Sequence, residues 1–159
     1  MQPQSVDSFY HVLRNPLFLA AFFSWFIAQL LKATIDALRN RSRSSREVVV
    51  TLFWATGGMP SSHSALVTAL ATAIGFQYGV NSPLFSVALF YGMLVIRDAL
   101  GVRRAAGMQA QAINRMGRKL RERFEVEFEP VQEVHGHTPA EVSVGALLGF
   151  FIAVAFSLL

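Results

Sequence analysis

The chain has no cysteine, which excludes disulfides and thiolate metal sites and leaves the redox compartment unread. Charge is scarce as well. Only 15% of the 159 residues are Asp, Glu, Lys or Arg, where a water-soluble domain carries about a quarter. Acid is scarcer than base, 10 residues against 14, so the net charge is +4. The N-terminal sequence lacks the pattern of a secretory signal: Pro3, Asp7 and a single Arg14 precede the first apolar run, with no basic n-region and no small-residue cleavage site. A nucleic-acid-binding motif is missing too. The basic residues behind a pI near 10.1 instead flank apolar runs, which makes membrane lipid, and not nucleic acid, the expected partner.

What the chain has in quantity is apolar surface. Hydrophobic residues make up 53% of it, fourteen of them Phe, and the mean hydropathy is positive. A membrane protein is the better starting point than a soluble one. At this length a single domain covering residues 1–159 is expected. From Leu17 the chain is almost wholly apolar, and the helical pattern continues through Lys32 and Asp36 to Leu38, long enough to span about 30 Å of hydrocarbon. Further spans are expected at 61–78, 84–100 and 139–159, the second of them rich in the Ala, Thr and Gly that allow close helix packing in lipid. The fold class that follows is an all-α integral membrane bundle of about four transmembrane helices.

Between these spans lie two polar stretches. Arg39 to Arg46 is a basic, turn-rich loop, followed by a β-branched segment at 47–56 that reads as a short helix or re-entrant piece, because a lone strand in lipid would leave its edges unpaired. Residues 101–124 carry Arg103, Arg104, Arg115, Arg118, Lys119, Arg121 and Arg123, while Ala105, Met108, Ala112, Ile113, Met116 and Leu120 recur at helical spacing. This is a basic amphipathic interfacial helix, lying on the membrane or across the mouth of a site. The acidic, alternating stretch 122–133 reads as a hairpin or loop. The 39–60 and 101–138 segments share one side and hold most of the Arg and Lys, so that side is expected to be cytoplasmic, with both termini outside.

The chemistry gathers on the same side. Gly57-Gly58-Met59-Pro60-Ser61-Ser62-His63-Ser64 is a Gly-rich turn feeding a helix start, where unpaired backbone N–H groups and the helix dipole attract an anion. His63 there can move a proton at neutral pH. Lys32 and Arg39 lie seven apart at the end of span one, Asp98, Arg103 and Arg104 at the end of span three, and His137 and Glu141 open span four. Two histidines, several fixed cations and two carboxylates at converging helix ends suit phosphoryl transfer: cations neutralise the oxygens, one His attacks phosphorus and the other protonates the leaving oxygen. Plainer readings stand beside this one. Thr138-Pro139-Ala140-Glu141 is also a capping box, and Ser61, Ser62 and Ser64 can cap span two. Lys32 can snorkel. Asp98 near a membrane end needs a partner, Arg103 or Arg104, unless it binds a divalent cation. The run from Arg115 to Arg123 reads as a lipid-facing basic stripe, and His11 and His135 as surface residues.

Gly-Gly-Met-Pro-Ser-Ser-His-Ser, Asp98-Ala-x-Gly-Val-Arg-Arg and Gly136-His-Thr-Pro-x-Glu-Val together resemble the divergent branch of the type 2 phosphatidic acid phosphatase superfamily, small bacterial and plastid-type membrane proteins distantly related to lipid phosphatases and vanadium haloperoxidases. The resemblance covers about Asn15 to Leu159. The parent motifs are K-x6-R-P, P-S-G-H and S-R-x5-H-x3-D. Lys32 and Arg39 match the first, with Asn40 in place of its proline. Pro60, Ser61 and His63 match the second, with Ser62 for glycine. His137 and Glu141 match the end of the third, with Glu for Asp. Its Ser-Arg pair is lost to Pro130-Val131, and Arg103 or Arg104 is the suggested substitute. The resemblance implies that His137 is a nucleophile forming a phosphohistidine, that Glu141 orients it, and that His63 is the general acid. It also implies that Lys32, Arg39, Ser61, Ser62, Arg103, Arg104 and Asp98 bind or frame the phosphate, and that no metal or cofactor is needed. The implied function is hydrolysis of a phosphatidate-like or phosphatidylglycerophosphate-like lipid phosphomonoester at the cytoplasmic face of a bacterial inner membrane or plastid membrane. Two alternatives remain: a metal-dependent phosphotransferase using Asp36, Asp98 and Glu141, and a catalytically silent lipid-phosphate-binding or scaffold protein. A bundle this thin leaves room for a homodimer.

Overall fold

The computed structural model describes residues 11–39, 58–133 and 136–159; the basic loop from Asn40 onward, the 47–56 segment and His135 lie outside the described residues. Among the described residues the protein is helical and has no strand. Local sequence explains each start. Asn15 accepts the Leu17 N–H at 2.9 Å as α1 (Pro16–Arg39) begins. Ser61 caps α2 (Ser62–Tyr78), and Ser82 caps α3 (Pro83–Leu100), with Pro83 in the first turn where its missing N–H costs nothing. α4 (Val102–Phe124) follows after the single residue Gly101 and ends at a left-handed Glu125, φ 55°. Thr138 caps α5 (Pro139–Leu158). The elements fall within a residue or two of the expected spans, and the chain is a membrane helical bundle with a basic amphipathic helix appended.

Three helical stretches are long and apolar enough to cross a membrane by themselves, Pro16–Leu38, one within Pro83–Phe124, and Pro139–Leu158. The remaining bundle helix, α2, differs from them in kind. At 17 residues α2 is about 25 Å long and opens on Ser62, His63 and Ser64. It does not need an apolar exterior, because it packs against α1, α3 and α5 at once. It is the core of the bundle.

The closest packing is between α2 and α5. Ala65, Ala69 and Ala73 recur every fourth residue on α2, and Gly145, Gly149 and Ala153 do so on α5; all six are buried. A methyl group at Gly149 would overlap the Ala65 backbone, standing 2.8 Å from its carbonyl carbon, and one at Gly145 would overlap the Ser61 carbonyl. The two helices therefore touch backbone to backbone, as small residues allow in lipid. α1 closes this pair with its own small stripe of Ala20, Ser24 and Ala28, each fully buried. The Ser24 hydroxyl donates back to the Ala20 carbonyl at 2.6 Å, so it buries no unpaired polar atom. Phe23 of α1 stacks on Phe156 of α5 at 5.3 Å. Large apolar side chains, Val87, Phe90 and Leu94 among them, face outward, as expected where lipid is the solvent.

α4 is set apart. Among the described residues it packs on no helix but α3. Its buried residues are Gly107, Ala110, Asn114 and Gly117, and the last two face residues 125–133, which return along it without regular structure. The Asn114 amide clamps that return. Its Nδ2 donates to the Val131 carbonyl and to Glu133 Oε1, both at 2.9 Å, and its Oδ1 accepts the Val131 N–H at 2.8 Å. Phe128 lies on Gly117, where any side chain would overlap its ring.

If the α2–α5 contact sets the helix spacing, Gly145→Ala and Gly149→Ala should each destabilise the bundle by about 1–3 kcal/mol in reversible detergent unfolding. Gly92→Ala should be close to neutral, because a methyl there meets Val67 at an ordinary 3.6 Å. Equal effects at all three positions would show that the seam carries no special constraint.

Candidate active site

Four helix ends meet at one end of the bundle: the C-terminal ends of α1 and α3 and the N-terminal ends of α2 and α5. Backbone bonds hold the two histidine-bearing segments in place. The Ser61 N–H donates to the Glu141 carbonyl at 3.0 Å, joining the start of α2 to the first turn of α5. The His137 N–H donates to the Ala99 carbonyl at 3.3 Å, tying the segment before α5 to the last turn of α3. Gly136, next to it, lies so close to Arg104 that any Cβ would overlap the Arg104 backbone.

His63 stands exposed in the first turn of α2. The turn before it depends on Gly58, whose φ of +83° suits glycine. Gly58 faces the aliphatic part of Lys32; a Cβ there would sit 3.8 Å from Lys32 Cγ. Lys32 is only 6% exposed, which contradicts snorkelling. Among the described residues it makes no ion pair, and the carboxylate acting on its charge is Glu141. A buried cation without a direct counter-ion suits an anionic ligand. The serines lean toward capping: Ser61 Oγ accepts from the Ser64 N–H at 3.4 Å and from the Ser64 hydroxyl at 3.0 Å. Ser62 is buried beside them.

His137 is the most informative side chain. It is buried, and neither Nδ1 nor Nε2 has a hydrogen-bond partner among the described residues. Buried imidazole nitrogens are normally paired, so both atoms are available to a ligand or water. Burial is the largest influence on its basicity and pushes its pKa below the ordinary 6.5; Lys32 pushes the same way, Glu141 opposes, and His63 and Arg103 add smaller downward pushes. Lys32, Glu141, His63 and Arg103 are thus all near enough to act on the ring.

The Glu141 expectation changes. Its Oε2 accepts the Thr138 N–H at 3.0 Å while Thr138 Oγ1 accepts the Glu141 N–H at 3.3 Å, a complete capping box. Among the described residues Glu141 makes no hydrogen bond to His137, so it acts on the imidazole as a charge through space. Asp98 pairs with Arg103, Nε to Oδ2 at 2.6 Å, which answers its need for a partner. Arg103 is thereby half engaged, though close enough to act on both histidines. Arg104 contributes its backbone, and its side chain is exposed. Arg39 closes α1. Pro130-Val131, where the parent motif has Ser-Arg, sits in the return segment held by Asn114.

Sequence reading missed Gln29. It is one turn before Lys32 on the same face of α1, 6% exposed, with its Oε1 buried and unpartnered. A glutamine inside a span was the available signal, since an intramembrane polar group is costly unless used.

With this arrangement described, the comparisons with known proteins can be placed. The divergent PAP2 family pattern matches residues 13–152. The chain belongs to that family. It is 34% identical over 157 residues to the uncharacterized membrane protein YuiD of Bacillus subtilis (strain 168), covering 92% of this chain and 96% of the relative. No solved structure matches. Membership of the divergent PAP2 family agrees with the motif resemblance and with the helical membrane bundle, and relates the chain to phosphatases at the level of family.

Because Gln also fits the third position of a capping box, Glu141→Gln should leave α5 intact while removing the one charge that raises the His137 pKa. NMR titration of His137 should then move to lower pH than in wild type. An unchanged or raised value would show that Glu141 does not act on the ring. The sign for stability follows: a histidine depressed in the folded state binds its proton more readily when unfolded, so acidification from pH 6.5 down to the lowered value should destabilise the fold. His137→Asn should flatten that part of the profile.

Proposed function

We propose that the protein is a membrane-embedded lipid phosphate phosphohydrolase that uses a phosphohistidine intermediate. The observation that carries this reading is His137: buried, both ring nitrogens unpartnered, beside the buried cation Lys32 and near His63 and Arg103. A neutral imidazole is the nucleophilic form, and burial favours it. Lys32, the backbone N–H groups at the start of α2, Arg103 and the basic end of α1 at Arg39 would hold the phosphoryl oxygens, with Ser61 and Ser62 lining the turn.

In the first step a ring nitrogen of His137 attacks phosphorus, and the bond from phosphorus to the lipid oxygen breaks. His63 as imidazolium gives its proton to that oxygen, releasing the lipid alcohol. In the second, water attacks the phosphohistidine and gives a proton to the now neutral His63, inorganic phosphate leaves, and both histidines return to their starting states. The substrate is a phosphatidate-like or phosphatidylglycerophosphate-like phosphomonoester, met at the cytoplasmic face; the basic segments at this end of the bundle support that side.

A second reading has an observation of its own. The position of the lost Ser-Arg pair is used to fasten the return segment to α4, and its candidate substitute Arg103 is paired with Asp98. A protein that holds lipid phosphate without turning it over fits those facts. The metal-dependent phosphotransferase is less well supported, since Asp98 is committed to Arg103 and Glu141 to the helix cap.

Phosphate release from a panel of lipid phosphomonoesters in detergent separates these readings. His137→Ala should abolish release and its phosphorylated intermediate. His63→Ala should slow release by about 10²–10⁴-fold, wild-type activity should survive EDTA, and vanadate should inhibit. No release by the wild type, with phosphate-lipid binding that His63→Ala and His137→Ala barely weaken, would establish the silent binder instead.

A further inference from the structure

Between α2 and α3 runs a cavity of about 610 Å³, within the range of ligand pockets and far larger than a packing void. Val67, Ala71 and Gly75 of α2 and Leu89, Gly92 and Ile96 of α3 line it. Small residues, Ala71, Gly75 and Gly92, form part of its wall, and the Phe85 ring lies against Gly75. At its mouth Leu89, Met93 and Phe76 are exposed, so it opens sideways toward lipid.

Its position relates it to the histidines. Val67 lies one turn beyond His63 on α2, and Ile96 lies one turn before Ala99, whose carbonyl holds the His137 N–H. From there the lining extends along α3 to Phe85, eleven residues or about 16 Å. One leaflet of a bilayer has a hydrocarbon depth of about 15 Å. We propose that this groove is the seat of one acyl chain of the lipid whose phosphate is held at His63 and His137, so that the phosphate site and the groove together recognise a long-chain phosphate-bearing lipid. The proposal rests on the reading that a lipid phosphate binds at the histidines, but not on its being hydrolysed. The headgroup enters from the polar end, a spacer of one helical turn carries the glycerol, and the chain lies between α2 and α3.

The test uses full-length protein in nanodiscs with phosphatidate carrying a photoactivatable diazirine in one acyl chain. Mass spectrometry should place the label on groove residues, Ala71, Leu89, Gly92 or Met93, and unlabelled dioleoyl phosphatidate should compete it away. Phosphatidylcholine with the same labelled chain should mark the outward residues Val87, Phe90 and Leu94. Leu89→Trp at the mouth and Ala71→Phe in the floor should each lower groove labelling at least about tenfold, because a chain kept out loses the burial of several methylenes. Both should leave turnover of dibutanoyl phosphatidate, too short to use the groove, as in wild type. Labelling from phosphatidylcholine equal to that from phosphatidate, or labelling confined to the outward residues, would overturn the proposal. Labelling needs no turnover, so a protein that labels in the groove without releasing phosphate keeps the groove and rejects the phosphatase. One that hydrolyses long and short chains alike, insensitive to both variants, keeps the phosphatase and rejects the groove.

Discussion

The backbone contact between α2 and α5 is the constraint on which the rest depends. Helix surfaces in lipid gain little from burying one apolar side chain against another, because the lipid is as apolar as the partner. Close approach gains dispersion contacts that lipid tails cannot match, and only residues without bulky side chains permit it. Gly145 and Gly149 provide that on α5, with Ser61 and Ala65 opposite them. The seam ends at Ser61, whose N–H meets the Glu141 carbonyl, so the spacing chosen by glycines deep in the bundle is delivered at its polar end. There it fixes how far the His63 turn stands from the segment bearing His137.

That end of the bundle concentrates polar cost. Lys32 is a buried cation without a direct ion pair among the described residues, His137 has two buried nitrogens without partners, and Gln29 has a buried oxygen in the same condition. Each orphaned group costs on the order of 1–3 kcal/mol, more for a charge. By contrast, Ser24 and Thr138 are satisfied within their own helix turns, and Asn114 by the return segment. Among the described residues, the buried side-chain polar atoms left without partners are those of Gln29 and His137, which leaves them for something else to pair with.

Helix positions were legible because lipid demands long apolar runs and because the caps are local. Ser82-Pro83 and Thr138-Pro139-Ala140-Glu141 carry their own start signals, and Asp98 had to find a cation within a turn. The site residues were legible as a set through their motifs, although Glu141 was open between two roles until its oxygen was seen on the Thr138 N–H. Other features were not legible, for physical reasons. The central place of α2 depends on which helices surround it, and its composition alone reads as one more span. Asn114 sits seventeen residues before the Val131 it clamps, and nothing in either stretch names the other. The Gly145-Gly149-Ala153 spacing is visible in the chain, but its opposite number on α2 is a matter of register.

The arm formed by α4 and its return segment brings these points together. It leaves the bundle at Gly101, just after the Asp98 that holds Arg103, and comes back at Gly136 against the Arg104 backbone, one residue before His137. Both of its ends are thus parts of the site, while its length touches only α3 among the described helices. His137 is placed by two things of different kinds: the rigid cap of α5 on one side, and on the other a returning chain fastened by one asparagine side chain. Arg103, which acts electrostatically on His137, lies in the first turn of that same helix, so the two side chains are joined by the arm as well as by the bundle.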